Sequence, residues 1–440
     1  MSIDEQATSW DELDWGPWPE TAVLPQGHLT PEQRDEANLP ASLTTVVGEG
    51  VVQRPVFDPS LKQYGKAMRA GDPQFPAPDE AERWYDARRR AVDHVLAAVA
   101  ASPWAEHLVL RGSALLRAWY GSAAREPGDL DFVVTPVTWT LEEPRTERML
   151  DGLASAAERA SGGDGVRIDA AGALRDEIWT YDRIPGRRLV LPWHAEGLPS
   201  GTVQLDFVFT ELLPDDPEFT EVPVRGGGGA HRLLGATPAL SLAWKLLWLS
   251  DDIYPEGKDL YDAVLLAEST PLSASLLQRT LVAGDAGWAG RRVTPGLLED
   301  LDIDDDEFRK DYPGITDTVE RLHERLMAAL APTFAEAEAV PPTDAYAWRA
   351  HWLAPRVDAC RELAGSEGMD AVQAFLTEHG VGVEEGIVVT REVVGADRCG
   401  IEDAAATFME YRNRSNHANG YYRRNPDLAE RALKALRATV

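Results

Sequence analysis

The chain has little cysteine: Cys360 and Cys399 are the two in its 440 residues. They are too few for a disulfide framework or a cysteine-based metal cage, and they suit a reducing compartment. The sequence also lacks a run of about eighteen apolar residues, which a transmembrane helix needs. Its first residues, MSIDEQATSWDELDW, lack the basic and then apolar layout of a signal peptide. We therefore expect a cytoplasmic protein that does not contact a membrane.

Positive charge is scarce as well. Basic residues number 43 against 73 acidic ones, so the formal net charge is −30. A chain this acidic has no global attraction for a phosphate backbone, and repulsion weakens non-specific nucleic-acid binding. An RNA or DNA substrate would therefore have to be held by a local basic patch.

One local basic patch lies near the C-terminus. Residues 412–437 contain seven Arg or Lys against two acids, and Tyr421 and Tyr422 lie among the arginines. The patch either contacts RNA or phosphate, with stacking aromatics, or pairs with the acidic N-terminus; we favour the second interpretation. Arg412 and His417 also have the Arg–x4–His spacing of HEPN-type ribonucleases, which leaves an attached RNase activity as an alternative.

Composition and periodicity divide the chain into four parts. They are an acidic, proline-rich extension (1–78), a core of helical and strand patterns (79–235), a helical domain (236–335) and a C-terminal helical region with the basic end (336–440). We expect the extension to be a partly ordered tail, or alternatively an inhibitor that covers the site, whose removal would raise activity. Asp79 is the predicted cap of the first core helix, and Thr237-Pro238 opens a later one.

Gly112-Ser113 is the first element of a candidate site. It follows the apolar run HLVLR, which is typical of a strand, and precedes the helical pattern SALLRAWYG. Glycine lets the backbone approach a ligand closely, and the first turn of the following helix offers free N–H groups to a phosphate. An ordinary tight turn would have the same sequence.

Three carboxylates form the second element. Asp129 and Asp131 belong to the strand-like DLDFVV and project from one face, since side chains alternate along a strand. Asp206 is the single acid of the apolar strand VQLDFVF and needs a partner if it is buried. If the two strands are neighbours, three oxygen ligands converge, as in a two-metal Mg²⁺ site for phosphoryl transfer.

Two helical motifs follow. Lys245 is the one charged residue in TPALSLAWKLLWLS, so it either extends to solvent or meets a buried anion, for which a triphosphate is a natural candidate. In Lys258-Asp259-Leu260-Tyr261-Asp262, the acids Asp259 and Asp262 share one helical face. An acidic first turn that is favoured by the helix dipole would have the same pattern.

Taken in order, these elements resemble the AbiEii/AbiGii-type nucleotidyltransferases over about residues 80–270. That family comprises toxins of bacterial type IV toxin–antitoxin and phage-defence systems. Its motifs are similar to Arg111–Arg117, Asp129–Phe132, Asp206, Lys245 and Lys258–Asp262 of this chain.

The resemblance implies an α+β fold of the polymerase-β-like nucleotidyltransferase type, in which a small mixed sheet with flanking helices precedes a largely helical region. It also implies transfer of a nucleoside monophosphate from a nucleoside triphosphate to tRNA or a protein hydroxyl, with an antitoxin protein as partner. The cofactor would be Mg²⁺, as two ions, with Mn²⁺ as an alternative. The expected catalytic residues are Asp129, Asp131, Asp206, Lys245, Asp259 and Asp262, of which the first three bind metal, and the expected nucleotide-binding residues are Gly112, Ser113, Arg117, Lys245 and Lys258.

Two other functions stay open. A small-molecule nucleotidyltransferase with a cationic aminoglycoside acceptor would suit the acidic composition. An inactive nucleotidyltransferase fold could instead serve as a binding module. The retention of three carboxylates, which repel each other without a cation, speaks against an inactive site.

Overall fold

The chain folds into two compact units in the computed structural model, which describes residues 10, 18, 22–27, 29–180, 184–252, 255–341, 343–414 and 420–438. Unit 1 comprises Met1–Thr210 and Glu218–Gly235, and unit 2 comprises Glu211–Pro217 and Ala236–Val440. Among the described helices, none combines the length and the hydropathy that a membrane crossing requires. The four-part division of the sequence stays a prediction.

Unit 1 is built on a mixed sheet. Its strands are β1 (Pro55–Phe57), β2 (Met68–Ala70), β3 (Leu108–Arg111), β4 (Leu130–Val134), β5 (Val166–Ile168), β6 (Leu174–Thr180), β7 (Ile184–Ala195), β8 (Gly201–Val208), β9 (Glu218–Pro223) and β10 (Ala230–Gly235). Its helices are α1 (Pro31–Ala37), α2 (Pro78–Ala100), α3 (Ser113–Tyr120) and α4 (Pro144–Ala160). The main sheet has the order β5-β7-β8-β4-β3-β10-β9, with β6 beside β7, and β1 and β2 pair separately.

The centre of the main sheet is where the sequence is most apolar. Strands β4 and β8 pair in parallel, and β7 and β8 form the predicted antiparallel hairpin. Phe132 and Phe207 are paired in register and stack at 5.4 Å between ring centroids, and both are fully buried. This pairing fixes the β4–β8 register, because a slip of one residue would move one of the two rings to the opposite face of the sheet.

Helix α2 begins two residues earlier than the sequence predicts. Its N-cap is Ala77, which makes no side-chain capping bond, and Pro78 is the first helical residue. Asp79 therefore lies in the first turn instead of capping it. There its charge still favours the helix dipole, and proline at the first position is preorganised for a helix. The prediction that Asp79 caps this helix is wrong.

The described part of the N-terminal extension is packed and not the partly ordered tail that the sequence suggests. Thr30 and Gln33 form a capping box at the start of α1. Apolar side chains of the extension form a small core of their own: Trp18, Leu24, Leu29, Leu39 and Leu43. The extension is also bound to the main sheet, because Asp176 of β6 accepts hydrogen bonds from the backbone N–H groups of Ala41 and Ser42 at 2.6 and 2.7 Å.

Unit 2 is helical over its described residues, as the sequence predicts. Its helices are α5 (Pro238–Asp251), α6 (Gly257–Ser269), α7 (Ala274–Gly284), α8 (Asp305–Asp311), α9 (Val319–Glu338), α10 (Ala345–Trp352), α11 (Ala354–Glu367), α12 (Met369–Glu378), α13 (Val383–Val394), α14 (Ile401–Arg414), α15 (Tyr421–Arg424) and α16 (Leu428–Leu436). The predicted cap of α5 is confirmed, since the Thr237 side chain accepts a hydrogen bond from the N–H of Leu240. The α+β class, with a mixed sheet followed by helices, is likewise confirmed.

Candidate metal and nucleotide site

A row of charged residues crosses the main sheet. The strand registers align Asp176 with Arg188, Arg188 with Asp206, Asp206 with Asp131, and Asp131 with Arg111. Residues directly opposite each other on neighbouring strands project from the same face. The sheet therefore presents acids and arginines together on one face.

Two acids of this row, Asp131 and Asp206, meet Asp129, as the sequence predicts. One carboxylate oxygen from each of Asp129, Asp131 and Asp206 lies within 4.8 Å of the other two. Asp129 lies just outside β4, which begins at Leu130. Its carboxylate is therefore positioned by the segment that leads into the strand. Hard oxygen donors at this separation fit a divalent cation such as Mg²⁺, whose charge would offset their mutual repulsion.

Electrostatics at Asp206 support the same conclusion. Burial raises the pKa of Asp206; the Arg188 guanidinium acts against that, and the charge of nearby Asp129 adds to the increase. Burial and the neighbouring Asp129 charge thus both disfavour the isolated Asp206 carboxylate, and a bound cation would offset both effects.

Gly112 brings the backbone against this group of acids. Its φ of +80° and ψ of −156° lie in a region that is essentially restricted to glycine. A Cβ at this position would lie 2.7 Å from Oδ2 of Asp131. Glycine is thus required both by the backbone conformation and by the close approach to the carboxylate.

Ser113 follows as the first residue of α3. It is buried, and its Oγ has no hydrogen-bond partner among the described residues. Buried hydroxyl groups are rarely left without a partner, so this one indicates a missing acceptor or donor. A phosphate oxygen at the N-terminus of α3 would supply an acceptor for the hydroxyl and for the free N–H groups of the first turn.

Arg117 binds backbone carbonyl groups at the end of its own helix. Its Nη1 donates to the carbonyl oxygens of Gly121 and Ala124, both at 2.9 Å. These contacts hold the end of α3 and the turn after it. A contact between Arg117 and a nucleotide stays a prediction.

Lys245 and the Lys258–Asp262 motif come together in unit 2. Nζ of Lys245 lies 2.6 Å from Oδ1 of Asp259 and 3.1 Å from Oδ2 of Asp262, and 4.7 Å from the centroid of the Trp248 ring. Lys245 and Asp262 are both buried. The lysine of α5 thus has two carboxylates of α6 as partners in a buried position.

Lys258 pairs with Glu256 just before the helix. Burial lowers the pKa of Lys258, but the charges of Glu256 and Asp259 outweigh it and leave that pKa above its usual value. The lysine is therefore positively charged. The carboxylate triad belongs to unit 1, whereas Lys245 and Lys258 belong to unit 2; a single site that contains both groups stays a prediction.

The sequence interpretation missed Arg188. Its Nε and Nη2 donate to the two carboxylate oxygens of Asp206 at 2.9 and 2.8 Å, and its Nη1 donates to Oδ2 of Asp58 at 2.8 Å. The one available signal was Arg187-Arg188 in the otherwise apolar segment RRLVLPW. That pair does not show which arginine faces Asp206.

The basic C-terminal segment is bound to its own unit over the described residues. Nη2 of Arg412 donates to the carbonyl oxygens of Leu376 and Val381 at 3.2 and 2.7 Å. Arg414 pairs with Asp370, and Arg437 pairs with Glu402. These acids lie outside the N-terminal extension, which the sequence interpretation had favoured as partner. His417 lies outside the described residues, so the Arg412–His417 spacing is not tested.

Comparison with known proteins gives one family. The model of the family described as "Nucleotidyl transferase AbiEii toxin, Type IV TA system" matches residues 94–344, which is more than half of the chain. A solved structure, MenT4, a nucleotidyltransferase toxin from Mycobacterium tuberculosis H37Rv, matches with 18% identity and a TM-score of 0.38, covering 66% of this chain and 93% of that chain. This TM-score is too low to support a conclusion on fold or function. No curated protein matches the chain.

Proposed function

The chain belongs to the AbiEii family of nucleotidyltransferase toxins, and from this premise we propose that it transfers a nucleoside monophosphate from a triphosphate to tRNA or a protein hydroxyl. The family assigns it nucleotidyltransferase activity and places it among the toxins of type IV toxin–antitoxin systems. An antitoxin protein is therefore its implied partner. A role in phage defence and a cytoplasmic location belong to the same proposal.

The observation that carries this proposal is the convergence of Asp129, Asp131 and Asp206. Their oxygens lie within 4.8 Å of one another at the centre of a sheet, although Asp206 is far from the other two in sequence. Bound Mg²⁺, with Mn²⁺ as the alternative, would supply charge neutralisation for the triphosphate and acidify the acceptor hydroxyl. Two ions suit three carboxylates, because phosphoryl transfer uses one at the attacking oxygen and one at the leaving oxygen.

Gly112 and Ser113 have the position and chemistry to hold the triphosphate. The N-terminus of α3 carries free N–H groups and a partial positive charge, and Ser113 adds a buried hydroxyl without a partner among the described residues. We assign the β- and γ-phosphates to this turn, adjacent to Asp131. The α-phosphorus is then left facing the carboxylates.

Asp206 is assigned to the acceptor side of the reaction. The carboxylate lies next to Asp129 and Asp131, and it accepts a proton from the attacking hydroxyl either directly or through a water. The hydroxyl oxygen then attacks the α-phosphorus, the bond to the β-phosphate oxygen breaks, and pyrophosphate leaves. Lys245, oriented by Asp259 and Asp262, is proposed to offset charge on the departing pyrophosphate.

The test is an incubation of the full-length protein with Mg²⁺ and each α-³²P-labelled nucleoside triphosphate. Separate reactions contain tRNA, total protein or an aminoglycoside panel as acceptor, and each is repeated with Asp129→Ala. We expect label on tRNA or protein with the wild type, and a loss of at least about 100-fold in the variant, because a ligand to the reacting metal is removed.

Each other outcome identifies a different function. Transfer at the wild-type rate by Asp129→Ala would exclude the carboxylate site. Label on aminoglycosides alone would identify a small-molecule enzyme. Absence of both label transfer and triphosphate binding would identify a binding module, and cleavage of RNA without added nucleotide would identify an RNase activity.

A further inference from the structure

Arg188 makes two contacts with Asp206 that define the orientation of its carboxylate. Nε of Arg188 lies 2.9 Å from Oδ1 and Nη2 lies 2.8 Å from Oδ2, so both oxygens are engaged by one planar guanidinium. A paired, parallel geometry of this kind fixes the plane of the carboxylate as well as its position. The lone pairs that remain on the two oxygens are those available to a cation held with Asp129 and Asp131.

The other side of Arg188 is held by the N-terminal extension. Nη1 donates to Oδ2 of Asp58 at 2.8 Å, and Nη2 lies 3.2 Å from Oγ of Ser60. Asp58 is fixed in turn, because its Oδ1 accepts hydrogen bonds from the backbone N–H of Ser60 at 3.1 Å and from its hydroxyl at 2.6 Å. The donors and acceptors of these four hydrogen bonds lie in the short turn that begins at Asp58 or on β7.

The three charged groups are buried together. The side chains of Asp58 and Asp206 are each 10% exposed, and that of Arg188 is 2% exposed. A guanidinium in this position divides its charge between two carboxylates. Asp58 thereby moderates the attraction between Arg188 and Asp206, so that Asp206 is oriented but not fully neutralised and can still bind a cation.

We propose that Asp58 and Arg188 are positioning residues through which the N-terminal extension sets the divalent-cation affinity of Asp206. The proposal rests on the proposed function, in which Asp206 is a metal ligand. Asp58 lies outside the matched family residues 94–344, so the device belongs to the extension and not to the matched region. It assigns the extension a supporting role at the site, opposite in sign to an inhibitor that covers it.

The decisive variant is Asp58→Asn, which keeps the size of the side chain and removes its charge. Arg188 then acts on Asp206 alone and is less firmly oriented, so both effects weaken cation binding. We expect Mn²⁺ binding, measured by the electron paramagnetic resonance signal of the free ion, to weaken by about 10-fold or more, as for other groups that orient metal ligands. The Mg²⁺ concentration for half-maximal transfer should rise in the same proportion.

Asp176→Asn is the matched control. Asp176 is also buried and also binds the extension to the sheet, through Ala41, Ser42 and the hydroxyl of Tyr64, but it makes no hydrogen bond to Arg188 among the described contacts. We expect a lower melting temperature with unchanged Mn²⁺ affinity. Equal losses of Mn²⁺ affinity in both variants would overturn the proposal, because docking of the extension alone would then explain them.

Asp129→Ala separates failure of this inference from failure of the proposed function. If Asp129→Ala binds Mn²⁺ as the wild type does, the metal site itself is wrong. If only Asp129→Ala loses binding and Asp58→Asn retains wild-type affinity, the positioning role is wrong and the metal site stands. Should Asp58→Asn not fold, Ser60→Ala removes one hydrogen bond from each of Asp58 and Arg188. It should then weaken Mn²⁺ binding in the same direction, and wild-type affinity would overturn the proposal.

Discussion

At the residue scale, the site is organised by compensation of buried charge. The sequence indicates that Asp206 needs a partner, because it is the one acid in an apolar strand. It does not indicate that Arg188 is one of the residues that pair with Asp206. A slip of one residue in the β7–β8 hairpin would place Arg187 opposite Asp206, and hairpin register depends on loop geometry and core packing that the sequence alone does not specify.

Gly112→Ala should abolish transfer while leaving a folded protein. The backbone conformation of Gly112 costs any other residue about 1–3 kcal/mol, and the added Cβ would lie 2.7 Å from Oδ2 of Asp131. Asp131 must then move away from the other two carboxylates. We predict a fall in melting temperature, measured by thermal denaturation. We also predict loss of Mn²⁺ binding, measured by the electron paramagnetic resonance signal of free Mn²⁺.

Gly121→Ala is the control for the backbone cost. Gly121 has a φ of +55°, but a Cβ there would meet no atom within 4 Å. This variant should lose stability by a comparable amount and keep Mn²⁺ affinity. If both variants keep Mn²⁺ affinity, the close approach between Gly112 and Asp131 has no bearing on the metal site.

At the element scale, the sequence predicts helix α5 and strands β4 and β8, because capping residues and apolar patterns within each segment determine them. Thr237 caps α5 because serine and threonine accept from the N–H groups of a first helical turn. The apolar, β-branched and aromatic content of β4 and β8 predicts buried strands, and their parallel pairing brings the acids together. The sequence therefore predicts both the three carboxylates that meet and the strands that bring them together.

The extension is the element that local sequence does not predict. It lacks clear periodicity, and its order depends on distant contacts such as Asp176 with the backbone of Ala41 and Ser42. A contact between residues so far apart in sequence leaves no local pattern. Asp58 and Ser60 lie in this extension, which explains why the sequence interpretation missed the group around Arg188.

Lys245→Met should strongly destabilise the pairing of α5 with α6. The substitution leaves Asp259 and Asp262 without their shared cation, and Asp262 is fully buried. Removal of one partner from a buried ion pair costs about 3–5 kcal/mol. We predict a loss of this size in the free energy of unfolding, measured by urea denaturation.

The double variant Lys245→Met with Asp262→Asn tests the cause. It removes the buried carboxylate charge that the single variant deprives of Lys245, so part of the lost stability should return. If the losses in free energy of unfolding from Lys245→Met and Asp262→Asn simply add in the double variant, the ion pair is not the source of the effect.

At the scale of the whole molecule, net charge bears on whether the basic C-terminal segment binds RNA or pairs with acids of its own chain. The chain carries a net charge of −30, so any attraction for RNA must come from exposed arginines such as Arg423 and Arg424. Other parts of the segment are structural, since Ala432 and Leu436 are buried in the core of unit 2. A truncation of the segment would therefore test stability and not acceptor binding.

The variant Arg423→Glu with Arg424→Glu tests acceptor binding without removing core residues. The contacts of the segment are structural, so we predict unchanged label transfer to tRNA and to protein and an unchanged melting temperature. A selective loss of transfer to tRNA, with transfer to protein retained, would show instead that these arginines hold an RNA acceptor.

The central claim is that Asp129, Asp131 and Asp206 hold the cation on which nucleotide transfer depends. The most direct measurement is a crystal structure with Mn²⁺ and a non-hydrolysable nucleoside triphosphate, using the anomalous scattering of manganese. We predict an anomalous peak about 2.1 Å from oxygens of these carboxylates, with the triphosphate at the Gly112-Ser113 turn. A triphosphate bound elsewhere, or manganese absent from the three carboxylates while the nucleotide is bound, would contradict the account.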